Sequence, residues 1–170
     1  YGACDKCTGL GTFLKIDPDL VIPNKRLSIR EGAIRASGWY YAEGGIAQMY
    51  YEGLAEHYGF SLDEPVSKLP KQAVQILLYG TNGEKIKMHR DGGSVKGTYY
   101  TDFEGIVNNL ERRFRETNSS WMREELSTWM SSVECPVCHG DRLNKTVLAV
   151  TVGGLNISEF CKKSVAGALE

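Results

Sequence analysis

Nothing in this 170-residue chain is long and apolar enough to span a bilayer, and no charged-then-apolar segment opens it. No membrane partner is expected. An excess of charge is missing too: 20 Lys and Arg stand against 21 Asp and Glu, a net charge of −1, so any basic footprint for nucleic acid has to be local. The signatures of common catalytic chemistry are also lacking. There is no G-x-x-x-x-G-K-[ST], H-E-x-x-H or G-x-S-x-G, and His57 and His89 have no Ser, Cys or carboxylate at a diagnostic spacing. The chain therefore reads as a non-enzyme. Cysteine is sparse at five residues, and four of these sit in C-x-x-C pairs, which fits a reducing, cytoplasmic setting better than a disulfide scaffold. Low-complexity segments and internal repeats are absent, save for one short element that occurs twice. What remains is 42% hydrophobic and 24% charged, ordinary for a globular protein and enough for one good core with a smaller appendage. The chain opens at Tyr1, almost on the first cysteine pair, and reads as a piece of something larger.

The repeated element is a knuckle, Cys4-Asp5-Lys6-Cys7-Thr8-Gly9-Leu10-Gly11 near the start and Cys135-Pro136-Val137-Cys138-His139-Gly140 near the end. Each is a C-x-x-C followed by a glycine turn that lets two thiolates point at one ion. Four thiolates at about 2.3 Å make a closed, tetrahedral, structural zinc site with no open position for catalysis. Closing both knuckles on one ion turns the intervening chain into an insertion tied off at its base, at a modest entropic cost because closure entropy grows slowly with loop length. The plainer alternatives are two unrelated reduced pairs, or pairs that each meet a partner outside the chain. A thioredoxin-type role is disfavoured, since neither pair opens a helix after a hydrophobic strand. With four thiolates available, His139 is a bystander, and Cys161, in a helical pattern, is expected as a small buried hydrophobe.

Between the knuckles the pattern alternates short strands and helices, an α+β arrangement. Thr12 to Ile16 is β-prone, and Asp17-Pro18-Asp19 breaks it. A helix is expected over Tyr41 to Tyr58, with Ala47, Tyr50, Tyr51, Leu54 and Tyr58 at helical spacing and Gly59 as its stop; Gly44, Gly45 and Gly53 weaken it. A short helix from Pro70 to Leu78 ends at Gly80. Asn82-Gly83 marks a turn, and Glu84 to Arg90 and Val95 to Thr101 form a hairpin reversed by Asp91-Gly92-Gly93. Two amphipathic helices follow. One carries Phe103, Ile106, Val107, Leu110 and Phe114; the other carries Met122, Leu126, Trp129, Met130 and Val133, capped by Ser119 or Ser120. After the second knuckle, Val147 to Val152 is expected as a buried strand, and Gly153-Gly154 leads to a helix over Ile157 to Val165.

Lys85, Lys87, Arg90 and Lys96 gather on the hairpin, and Arg112, Arg113, Arg115 and Arg123 on or beside the helices. Such groups neutralise phosphates and give sequence-independent DNA binding. The alternative is a solvated face balanced by Glu84, Asp91, Glu111 and Glu116. The paired tyrosines Tyr40-Tyr41, Tyr50-Tyr51 and Tyr99-Tyr100 could stack on bases, but periodicity assigns most of them to the core.

Nearly the whole chain resembles the UvrA family, the damage-sensing ATPase subunit of the bacterial excinuclease. The resemblance rests on Gly2-Ala3-Cys4 through Gly11, Asp17-Pro18-Asp19-Leu20-Val21-Ile22-Pro23, and Leu27 through Ile34. It continues through Ala55-Glu56-His57-Tyr58-Gly59-Phe60 and Leu77-Leu78-Tyr79-Gly80. It is most specific in Phe103-Glu104-Gly105-Ile106, Asn109 through Thr117, and Arg123-Glu124-Glu125-Leu126, and it runs on through Cys135-Pro136-Val137-Cys138, Gly140 through Leu143, and Val150 through Gly154. It implies an insertion domain (17–131) on a small Cys4 zinc-binding base, signature domain I, made of 1–16 and 132–170. It further implies binding of double-stranded, damaged DNA by shape, a UvrA homodimer mate, and a UvrB contact through a domain with no counterpart here. ATP and Mg2+ would belong to the parent protein alone, in nucleotide excision repair and the SOS response. The competing expectations are a protein-interaction module and a DnaJ-like zinc module.

Overall fold

The computed structural model describes residues 2–90 and 97–168. In chain order the elements are β1 (Thr12–Ile16), α1 (Pro18–Val21), α2 (Ile46–Tyr58), a 3-10 turn (Val66–Lys68), α3 (Lys71–Tyr79), β2 (Ile86–Arg90) and β3 (Gly97–Thr101). Then come α4 (Ile106–Glu116), α5 (Ser120–Ser127), β4 (Met130–Glu134), α6 (Lys145–Leu148), β5 (Thr151–Val152), β6 (Leu155–Asn156), α7 (Ile157–Cys161) and α8 (Val165–Ala168). The fold is α+β, with helices beside three two-stranded sheets: β1 with β4, β2 with β3, and β5 with β6. It divides into two compact units, 1–15 with 132–170, and 16–131.

The larger unit has a conventional hydrophobic core. Val21, Ile29, Ile34, Tyr51, Leu54, Leu77, Ile86, Met88, Ile106, Leu110 and Leu126 are fully buried in it. Trp39, Tyr50, Tyr51 and Phe103 form a ring cluster within it, with Trp39 and Phe103 edge-to-face at 5.5 Å, the arrangement that the ring quadrupoles favour. The helix expected from Tyr41 starts only at Ile46, because Gly44 has a positive φ of 74° and Gly45 is its N-cap in extended geometry. It ends as expected at Gly59, which is left-handed. Asp17 does more than break the strand: its side chain accepts from the Asp19 N–H and so caps α1.

Gly53 is a packing requirement more than a weakness. A Cβ there would meet the Met88 side chain and lie 2.8 Å from the Lys87 carbonyl oxygen, so α2 lies directly on β2. The hairpin pairs Ile86 with Thr101, Lys87 with Tyr100, Met88 with Tyr99, His89 with Thr98, and Arg90 with Gly97. Its period of two buries Ile86 and Met88 and turns Lys87 and His89 outward. The expected reversal at Asp91-Gly92-Gly93 lies outside the described residues. Buried Thr81 ties the hairpin's base to the helices. Its hydroxyl accepts from the Phe103 N–H at 3.0 Å and donates to the Glu84 carbonyl at 2.8 Å.

The second amphipathic helix is shorter than its periodicity predicts, since Trp129 lies beyond its end and Met130 and Val133 belong to β4. The Ser127 and Thr128 hydroxyls donate to the Glu124 and Glu125 carbonyls, satisfying the last turn locally and ending the helix. Ser119 caps its start, accepting from the Met122 N–H at 3.3 Å.

The smaller unit corrects three expectations. Val147 to Val152 is no buried strand: Asn144 caps α6 through the Val147 N–H, and only Thr151 and Val152 are extended. Gly153 and Gly154, both at positive φ, make the two-residue turn into β6, and Val152 is 84% exposed. The last helix is two pieces, α7 and α8, the first begun by a capping box between Asn156 and Glu159. Cys161, expected inside, is exposed, because the described residues of this unit gather only the four knuckle cysteines and Phe13 into a cluster.

Gly80 and Gly105 (φ +93° and +90°) face one another, and a Cβ on Gly105 would overlap the backbone of Tyr79 and Gly80. Gly105→Ala should therefore destabilise the chain by about 3 kcal/mol, adding steric overlap to backbone strain. Gly83→Ala, at a similar φ of +88° but with nothing within 4 Å, should cost about 1 kcal/mol, with both losses read by urea titration. Equal losses would contradict the close approach.

Candidate metal centre and basic faces

The two knuckles are superimposable in backbone logic. Thr8 and His139, each following the second cysteine, take φ of 50° and 49°; the next residues, Gly9 and Gly140, take 85° and 83°. The Cys4 N–H donates to the Arg142 carbonyl at 2.8 Å, and the Cys135 N–H to the Gly11 carbonyl at 2.9 Å. Each knuckle's first cysteine is thus held by the far end of the other knuckle. All four cysteines are buried, and their Sγ atoms lie within 4.8 Å of one another, with Cys7 and Cys138 at 3.6 Å. A regular tetrahedron of sulfurs about 2.3 Å from a zinc ion has edges of about 3.8 Å, so the donor set fits Zn2+ in size and softness. His139 occupies a turn position and is exposed, away from a ligand's role.

The thiols differ in acidity. Burial pushes Cys7 up, but the Gly11 N–H at 3.2 Å, the Gly9 N–H and the neighbouring thiols outweigh it and bring Cys7 down to about 7. Burial pushes Cys138 up to about 11, and the surrounding cysteines reinforce it. A cation entering this cluster must displace protons, so its hold weakens as pH falls.

The basic candidates described in the larger unit differ in what engages them. Lys85 and Lys87 are exposed and, among the described residues, have no ion pair. Arg90 is half-buried beside a cavity of about 270 Å³ lined with Gly44, Gly45, Gln48 and Glu52, and its Nε has no hydrogen-bond partner among the described residues. Lys96 lies outside the described residues. Arg112 is clamped: Nε and Nη2 reach both carboxylate oxygens of Glu104 at 2.8 and 3.1 Å, and Nη1 reaches Glu116 at 3.0 Å. Arg113 donates to the Ser37 carbonyl at 3.2 Å. Arg123 donates to the Thr117 carbonyl at 2.8 Å, just past the end of α4, and lies over the Phe114 ring. Arg115 is exposed, with no ion pair among the described residues.

Of the acids expected to balance the basic groups, Glu116 pairs with Arg112, Glu84 is engaged away from the lysines, and Asp91 lies outside the described residues. Glu84 accepts from Tyr58 at 2.6 Å and pairs with His57 at 3.0 Å, so His57, without a sequence-local partner, has a tertiary one. Sequence spacing gave no signal for it, because the two residues are 27 apart. Periodicity assigns most of the paired tyrosines to the core, but Tyr100 is 67% exposed on the hairpin's outer face.

The model of the UvrA DNA-binding domain family matches residues 17–128, most of the larger unit. The chain belongs to this family. UvrABC system protein A of Clostridium perfringens is 43% identical over 178 residues, covering 100% of this chain and 18% of its own length. The Bacillus subtilis protein of the same name is 41% identical over 175 residues, covering 99% and 18%. Among solved structures, UvrA2 from Deinococcus radiodurans superimposes with a TM-score of 0.65 at 29% identity, covering 94% of this chain and 20% of the other. The chain thus spans about a fifth of these UvrA relatives' length.

Two outcomes follow from the geometry. Cys138→Ser should lose stoichiometric zinc, read by a metal-chelating dye, and a strong chelator should unfold the smaller unit while the larger keeps its protection from hydrogen exchange, since only the latter has an apolar core. Hydrogen bonds from Arg112 hold Glu104 below the usual carboxylate range against the penalty of desolvation. Glu104 therefore contributes stability above its unfolded value of 4.5, lost as pH falls through the lower folded value. Arg112→Ala should flatten the urea midpoint's dependence on pH below 4.5; an unchanged acid limb would break this assignment.

Proposed function

We propose that this chain is a zinc-stapled DNA-clamping domain of a damage-sensing UvrA-type ATPase subunit in nucleotide excision repair. The observation that carries the reading is the outer face of the hairpin. Lys85 and Lys87 stand there exposed and, among the described residues, without an ion pair, while Glu84 beside them is turned toward His57 and Tyr58. Arg115 adds an exposed charge on α4, whereas Arg112 and Arg123 hold the fold in place. Charges on a rigid scaffold grip phosphates without reading bases, the mode suited to a protein that senses shape instead of sequence.

Residues 17–131 serve as the insertion domain, and 1–16 with 132–170 as the base, in which Cys4, Cys7, Cys135 and Cys138 would hold the ion. Zinc supplies closed coordination and no catalytic position. ATP with Mg2+, the homodimer mate and UvrB are assigned to the longer polypeptide that such a domain serves in the cytoplasm.

The test is a fluorescent duplex of about thirty base pairs titrated across a salt series; the logarithm of the binding constant should fall steeply with that of salt. Lys85→Ala with Lys87→Ala should weaken binding to every sequence alike and reduce the slope by about two units, one per lysine. Arg112→Ala should lower stability and leave the slope unchanged. Absence of binding at low salt would sink the clamp and favour the protein-interaction reading.

A further inference from the structure

The two hairpin tyrosines are adjacent in sequence yet part company. Tyr99 pairs across the sheet with buried Met88, and its hydroxyl reaches Met49 on α2. Tyr100 pairs with Lys87 and points the other way, 67% exposed. Among the described residues its ring has no aromatic or cationic partner, and its hydroxyl no hydrogen bond. The strand behind it cannot yield. Ile86 and Met88 are fully buried, and Gly53 brings the α2 backbone against Lys87, so the ring cannot turn inward. Directly opposite residues on one sheet face have Cβ atoms about 5 Å apart, so the pair presents a free ring and a free ammonium side by side.

We infer that Tyr100 and Lys87 form a subsite for an unpaired nucleobase and its phosphate, by which the hairpin favours DNA whose stacking is broken. An intact duplex hides base faces in the stack, leaving Tyr100 only groove edges and backbone. Where pairing is lost, a base face becomes available to stack on the ring, while Lys87 neutralises the neighbouring phosphate. Base–aromatic stacking tolerates any sequence, because every base has a π-face. The subsite rests on the DNA-clamping reading and adds to it a preference for unpaired bases.

The experiment compares two thirty-base-pair duplexes, one intact and one with a central bubble of mismatches containing 2-aminopurine, each titrated with the full 170-residue chain. The wild type should bind the bubble at least about fivefold tighter and quench the 2-aminopurine. Tyr100→Ala should erase both the preference and the quenching while keeping intact-duplex binding, and Tyr100→Phe should retain both. Lys87→Ala should weaken both duplexes and leave their ratio largely intact. If Tyr100→Ala keeps the wild-type ratio, the subsite is refuted and the clamp stands. If the wild type binds neither duplex, clamp and subsite fall together.

Discussion

Four sulfur atoms stand where one of the two units ought to have a hydrophobic core. In the smaller unit the only buried side chains among the described residues are Cys4, Cys7, Cys135 and Cys138, with Phe13 packed against them, while Val150, Val152, Ile157 and Phe160 lie exposed. Apolar burial on that scale cannot offset the entropy of ordering such a segment. Metal coordination can, at about 10–16 kcal/mol for structural zinc. The cysteine pairs lie 131 residues apart in sequence, a closure of about 4 kcal/mol for a flexible chain. The larger unit removes much of that cost, because its own ends meet: the Asp17 N–H donates to the Trp129 carbonyl at 2.9 Å.

That division explains what the sequence disclosed. The knuckles were legible because C-x-x-C with its glycine turn is local chemistry, and the matched φ values at Thr8 and His139 are its direct expression. So were α3, the hairpin strands and α4 from Ile106 on, where apolar periodicity and a buried face agree, although Phe103, expected on that helix, is buried ahead of its Gly105 N-cap. The failures have a common cause. An apolar run such as Val147 to Val152 predicts burial only if something exists to bury it, and the described residues of the smaller unit supply no such layer. Trp129, Met130 and Val133 kept helical spacing past the point where the Ser127 and Thr128 hydroxyls had already closed the helix. Glu84 and His57 were invisible as a pair because only α2 and the turn after α3 bring them together.

Charge counting in the sequence could not separate structural from available cations, and here the geometry discriminates. Arg112, Arg113 and Arg123 are neighbours of Arg115 in sequence and composition. The first three hold a carboxylate pair, the Ser37 carbonyl, and the Thr117 carbonyl beyond the end of α4, each a donor with a fixed acceptor. A guanidinium so engaged would have to abandon charge-assisted hydrogen bonds to reach a phosphate. Lys85, Lys87 and Arg115 have no such hydrogen-bonded ion pair to give up among the described residues.

The hairpin shows how closely presentation and stability are joined. Because side chains alternate with a period of two, the register that seats Met88 under Gly53 is the same register that turns Lys87 and Tyr100 to solvent. A slip of one residue would bury a lysine ammonium against α2 and expose Ile86 and Met88, losing packing and desolvating a charge at once. The core therefore fixes the register through its own packing, whatever the reversal between the strands contributes. A basic and aromatic face held this way is preorganised: its side chains need not be repositioned when a ligand arrives, and the ordering cost of binding falls on the few rotatable bonds of Lys87 and Tyr100.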